Sequence, residues 1–200
     1  MTNNDTEETP LSGRSGVIAT EGVLFPATKL EYHFQEPARR LLVRQAYVGE
    51  GYLVVRSGDE DYETDIATLA EIASFEEPSE DRTVVVLEGK GRVTIDEIEK
   101  TDRFVAAEWS WIDEPVEDEE ACRELAGDII GALRALSEAG VEMAGEVADQ
   151  AEEADSAAAV ADIVGSVTFE TIDEQREHLE ATAVGERLRR VEERLAELVE

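Results

Sequence analysis

Few side chains in this 200-residue chain are of a type and spacing that could do chemistry. Gly89-Lys90-Gly91 is a glycine-flanked lysine, but a phosphate-cradling loop needs Gly-x-x-x-x-Gly-Lys-Ser/Thr, and both the spaced upstream glycine and the following hydroxyl are missing. Lys29, Lys90 and Lys100 are the only lysines, so the C-terminal half has no candidate for a serine–lysine nucleophile pair. His33 and His178 lack a cysteine cluster or a spaced histidine partner, which argues against a histidine metal site. Cys122 is the single cysteine, which excludes an intrachain disulfide and every multi-cysteine zinc site. Paired carboxylates occur throughout, so their spacing singles out no acid–base couple. Arg92 reads as a brace for a β-turn or a partner strand. The remaining candidates are aromatic. Trp109 and Trp111 lie two apart and share a face if the segment is a strand. With nearby Phe104 they offer large apolar area for an unfolded peptide, and the competing reading is that they pack in the core. The chain is expected to be no enzyme, with no catalytic residue, no metal and no cofactor.

Charge sets a second bound. Forty-nine Asp and Glu against eighteen Lys and Arg leave a formal charge of −31. The acids are spread along the whole chain, so the excess belongs to the entire surface, and with so few lysines the composition is of the halophilic type. Such a field repels phosphate, and without a basic face nucleic acid is not the expected partner. Molar salt shortens the screening length to about 3 Å, which weakens that argument without removing it. The opening MTNNDTEETP has no basic and then apolar export pattern, and no apolar run reaches about 18 residues. A reducing cytoplasm and no membrane span are the expectation.

The elements that must position any site follow from pattern. Residues 1–16 read as a disordered acidic lead-in. Val23-Leu24-Phe25 is a short apolar run that Pro26 ends as a paired strand. Leu30, Tyr32 and Phe34 alternate with polar residues and predict a half-buried strand. Glu36-Pro37 opens a helix with Leu41, Leu42, Ala46 and Val48 on one side. Tyr52–Val55 returns to β, and Ser57–Asp61 is a turn. The segment around Ile66, Leu69 and Ile72 fits strand or helix by local pattern. Glu76–Asp81 with Pro78 reads as a loop. Thr83–Leu87 is the most strongly β stretch, interrupted at Gly89 and Gly91 and continued from Arg92 to Ile95. Phe104–Ile112 closes the β part. Beyond Glu114-Pro115 the period changes to three and four. Cys122, Leu125, Ala126, Ile129, Ile130, Leu133 and Leu136 stripe a long helix stopped near Gly140. Met143, Val147 and Ala151 suggest a second helix, and Ser156 caps a third. Thr171 with Glu174 forms a capping box for a fourth, and Leu188, Val191, Leu195 and Leu198 stripe the last.

Several of these pieces resemble one family. Phe25-Pro26, a strand and Glu36-Pro37 with its helix are similar to the opening of the N-terminal, substrate-binding domain of Lon-type proteases. Ile66, Thr68, Ala70 and Ile72 match its next strand, with Ala67 in place of a glycine, and on this ground the ambiguous segment is a strand. Glu88, Gly89 and Arg92 match its Glu-Gly-x-x-Arg element. Val160-Ala161-Asp162-Ile163-Val164, His178-Leu179-Glu180 and Glu186-Arg187-Leu188 follow in the family's order. The chain departs from it at Glu31, Gln35 and Ala38, where the family often carries proline, phenylalanine and arginine. The resemblance implies an α+β fold: a PUA-like twisted β domain with one short helix over 17–114, then a C-terminal α-helical bundle over 115–200. With the phosphate loop and the serine–lysine pair of a complete Lon protease both missing, a stand-alone form without ATPase or peptidase domains is expected. The function implied is a non-catalytic module, adaptor or regulator, whose partners are unfolded or extended protein segments and a Lon-type protease. A PUA-like fold also suits a small-ligand or nucleic-acid binder, and an enzyme with no recognisable motif is the third alternative.

Overall fold

The computed structural model describes residues 11–58, 64–100 and 104–199. Among these residues six strands form one mixed sheet: β1 Ser12–Thr20, β2 Lys29–Phe34, β3 Tyr52–Ser57, β4 Ile66–Ser79, β5 Arg82–Lys100 and β6 Val105–Trp111. Helix α1, Pro37–Val48, lies between β2 and β3. The strand order is β2-β5-β4-β3-β1-β6, and β5 also pairs with β6. At 19 residues β5 is long enough to serve both neighbours. Its first half pairs with β2 and its second half with β6, so the sheet closes on itself and β2 is left as an attached edge. All pairings are antiparallel except β1 with β3.

The apolar residues explain this closure. Leu53, Val54 and Val55 are all buried, because β3 is covered on both faces. Leu53 and Val55 pack with Leu42 and Val43 of α1, Phe34, Val85 and Leu87. Val54 points the other way, into a cluster with Leu69, Val93, Ile95, Ala107 and Trp109.

Four local readings are corrected. Ser12–Gly16, expected in the lead-in, pairs with β6 and holds β1 in the sheet, since ladder hydrogen bonds override the weak propensity of a Gly/Ser-rich segment. Residues 1–10 of that lead-in, and 59–61 of the expected turn, lie outside the described residues. Val23–Phe25 is buried but is no strand; it plugs the gap toward the helices, with Thr68 Oγ1 donating to the Leu24 carbonyl at 2.6 Å. Glu76–Ser79 is the solvent-facing arm of the β4–β5 hairpin, where charge and Pro78 are tolerated. Gly89 and Gly91 do not break β5. Leu69 pairs with Gly91 and Ala70 with Gly89, so Lys90 is bulged out of the ladder. Gly89 must lack a side chain there, because a Cβ would sit 2.1 Å from the Phe25 carbonyl oxygen.

Five helices follow: α2 Glu119–Glu138, α3 Ala144–Glu152, α4 Ala157–Thr168, α5 Ile172–Glu180 and α6 Val184–Val199. The end signals read from the sequence are present. Ser156 Oγ accepts from Ala159 N–H, and Thr171 with Glu174 makes a reciprocal capping box. Gly140, with φ 87°, ends the α2 region. Cys122, Ile129, Leu133, Val164, Leu188, Val191 and Leu195 share one core, which joins α2, α4 and α6. Leu198 of the last stripe is exposed. Among the described residues no helix is long and apolar enough to cross a membrane.

Candidate functional site

The three aromatic candidates do not make one platform. Trp109 is 2% exposed, and its Nε1 donates to Ser15 Oγ at 3.1 Å. It is core, because odd-numbered residues of β6 face the cluster built on Leu69, Val93 and Ile95. Trp111 is half-buried against the same cluster, and Phe104 packs against the other one, with Leu42 and Val43. A peptide could not reach Trp109 without opening the sheet.

What the fold does bring together are the polar residues of the separate motifs. Arg92 on β5, Asp162 on α4, His178 on α5 and Arg187 on α6 are each 1% exposed or less. Arg92 donates through Nη1 to Asp162 Oδ2 and through Nη2 to Asp162 Oδ1, both at 2.7 Å, a bidentate pair. Its Nε donates to the Leu179 carbonyl at 2.7 Å, and Nη1 also reaches Glu114 Oε1 at 2.9 Å. Arg187 donates to Glu114 Oε2 and, at 3.1 Å each, to the carbonyls of Ala181 and Thr182 at the end of α5. Its Nε lies 3.3 Å from Asp162 Oδ1. The brace expected at Arg92 therefore exists, but its partners are Asp162 and Leu179 of the helices and Glu114 of the β6–α2 connection, and not a β-turn or strand.

His178 completes this cluster. Its Nε2 stands 3.1 Å from the Ala161 carbonyl, so the neutral tautomer with the proton on Nε2 fits, whereas 3.6 Å to Asp162 Oδ1 is too long for a hydrogen bond. The ring lies between Phe25 and Phe169, with centroids at 5.5 and 4.9 Å. Gly165 makes room for it, since a Cβ there would fall 2.6 Å from Nε2. Burial pushes the imidazole below its ordinary value; Asp162 pulls it back, and the charges of Arg92 and Arg187 push it down again. For Asp162 burial alone would raise the carboxyl, but hydrogen bonding from Arg92 and the charges of both arginines outweigh it and hold the carboxyl below the usual range. The Arg92 guanidinium is fully matched by fixed partners inside the protein and Arg187 is matched through both Nη atoms, while Arg187 Nε and His178 Nδ1 are buried without a hydrogen bond among the described residues. The cluster's chemistry is that of a clamp between sheet and helices, with no open position for a substrate.

An accessible feature lies beside this clamp. A groove of about 770 Å³ runs between the start of β2 and helices α3 and α4. Leu30 forms one wall and Val167 the other, 40% and 49% exposed. Glu88, Glu153 and Asp155 add negative charge along it. Lys29 is also in the lining and is paired with Glu88 at 3.4 Å. Neither wall is singled out by the sequence, because Leu30 belongs to an alternating strand expected to be half-buried and Val167 carries no signal of its own.

Comparison with known proteins agrees with this architecture. The family model described as the ATP-dependent protease La (LON) substrate-binding domain matches residues 17–197. The fold is similar to the N-terminal domain of Mycobacterium avium complex Lon protease, with a TM-score of 0.77, 20% identity, and coverage of 92% of this chain and 98% of that one. It is also similar to the Lon N-terminal domain protein from Xanthomonas campestris, with a TM-score of 0.69, 18% identity, and coverage of 90% and 96%. No curated protein matches the chain by sequence.

Proposed function

Because the chain belongs to the ATP-dependent protease La (LON) substrate-binding domain family, we propose that it is a non-catalytic module that binds unfolded or extended segments of other proteins and serves as an adaptor or regulator in protein quality control. The observation that carries this reading is the groove, an accessible concave surface whose two apolar walls stand in solvent while the clamp beside it holds sheet and helices rigidly together. Exposed apolar walls in a cleft are what an unfolded chain can use and a folded one cannot. The β part, read as PUA-like over 17–114, and the helical part over 115–200 supply one side of the groove each. Trp111 and Phe104 are only half-buried, and they remain secondary contact candidates at opposite ends of β6. We place the protein in a reducing cytoplasm of high salt, on the strength of its single cysteine and its charge of −31.

The functional test is suppression of aggregation. A denatured client diluted into a folded sample of this chain in KCl should scatter less light than in its absence. Scatter identical with and without the chain would remove the reading. The salt assignment is tested separately: the melting temperature followed by circular dichroism should rise from low salt to about 2–3 M KCl, because screening relieves repulsion among the acids. A melting temperature unchanged over that range would contradict it.

A further inference from the structure

The backbone of β2 narrows what the groove can hold. Gly89 N–H donates to the Thr28 carbonyl at 2.9 Å, and the register continues with Lys29 opposite Glu88. Hydrogen-bonded pairs in an antiparallel ladder alternate, so Leu30, Tyr32 and Phe34 bond to β5 and the N–H and C=O groups of Lys29, Glu31 and His33 point away from it. Among the described residues no strand pairs with that outer edge, and Lys29, Leu30, Glu31 and His33 are all exposed. An open edge of this kind accepts an extended chain as one more strand, with affinity from the main chain and choice from side-chain contacts.

The side-chain environment then sets that choice. Leu30 and Val167 offer apolar contact, while Glu153 and Asp155 carry negative charge with no ion pair to either among the described residues. The single cation of the lining, Lys29, is already paired with Glu88. We propose that the groove takes an extended polypeptide segment that adds to the free edge of β2, seats an apolar side chain between Leu30 and Val167, and places lysine or arginine against Glu153 and Asp155. This inference rests on reading the chain as a protein-binding module, and it names the class of segment that the module selects: apolar residues interleaved with basic ones.

The probe is a fluorescent peptide of alternating valine and lysine, its anisotropy titrated with the full chain at the lowest KCl concentration that keeps the chain folded. A valine–glutamate peptide and a valine–lysine peptide N-methylated along one edge serve as comparisons. The valine–lysine peptide should bind, and the other two should bind at least about tenfold more weakly. Leu30→Asp and Val167→Asp change exposed side chains, so circular dichroism should stay native while affinity falls by about tenfold or more. Glu153→Lys with Asp155→Lys should reverse the charge preference. Binding that ignores N-methylation, or that is unaltered in all of these variants, overturns the inference. If no peptide binds but the chain still suppresses client aggregation, the groove assignment falls and the proposed function stands. If neither occurs, both fall.

Discussion

Replacing Asp162 with alanine should cost about 3–5 kcal/mol of folding stability, the loss typical when one partner of a buried ion pair is removed. The substitution leaves the Arg92 guanidinium, 0% exposed, with two of its charge-assisted bonds gone and only Glu114 and the Leu179 carbonyl to hold it. It also strips Arg187 Nε of its nearby charge. A domain is stable by only about 5–15 kcal/mol, so this single change removes a large share of the total. Asp162→Asn keeps one acceptor and should cost less. The double variant Arg92→Leu with Asp162→Leu should recover part of the loss, because an apolar pair needs no counter-charge, and a double-mutant cycle isolates the coupling. Urea is the appropriate denaturant, since guanidinium would itself screen the charge of −31. A cost below about 1 kcal/mol for Asp162→Ala would show that the cluster is not a clamp.

Stability should also fall as the medium is acidified from neutral pH, and His178 should set where the fall begins. Its imidazole is held below the ordinary value in the folded protein by burial and by the charges of Arg92 and Arg187. Once unfolded it takes up a proton near 6.5. A group with a depressed folded value contributes stability that is present above the unfolded value and is lost as pH falls through the folded one. Asp162, likewise depressed, adds a second loss below the normal carboxylate range. The groups facing His178 are the Ala161 carbonyl, Asp162, Arg92, Arg187, Phe25 and Phe169, and none can compensate a new positive charge except the carboxylate already committed to Arg92. The urea midpoint should therefore drop between pH 7.5 and 5 in the wild type. It should drop much less in His178→Gln, which can still donate to Ala161. Equal slopes for the wild type and His178→Gln would remove this account.

How much of this was legible before the fold differs by region. The helical half was readable because its signals are local: Ser156, Thr171 with Glu174, and Gly140 mark the ends, and three-and-four spacing marks the buried face. Strand β2 and helix α1 were readable for the same reason, by alternation and by Glu36-Pro37. Strand β1 was not, since SGRSGVIAT becomes a strand only because β3 and β6 flank it. The alternation of β6 placed Trp109 and Trp111 on a common face, yet could not say that the face is interior. Arg92, Asp162, His178 and Arg187 were each visible within a family motif. That they meet in one buried cluster depends on the path of the chain, as does the facing of Leu30 and Val167 across a groove. Local pattern encodes elements; long-range convergence encodes the site.

The most direct measurement of the central claim is equilibrium binding to a permanently unfolded protein, its cysteines reduced and carboxymethylated, labelled and titrated with the folded chain in high KCl. Apolar contact survives screening, so a saturable isotherm should appear, and it should weaken by about tenfold in the doubly substituted Leu30→Asp, Val167→Asp chain. A flat signal with the correctly folded wild type, at concentrations well beyond the micromolar range, would contradict the claim that this chain is a protein-binding module.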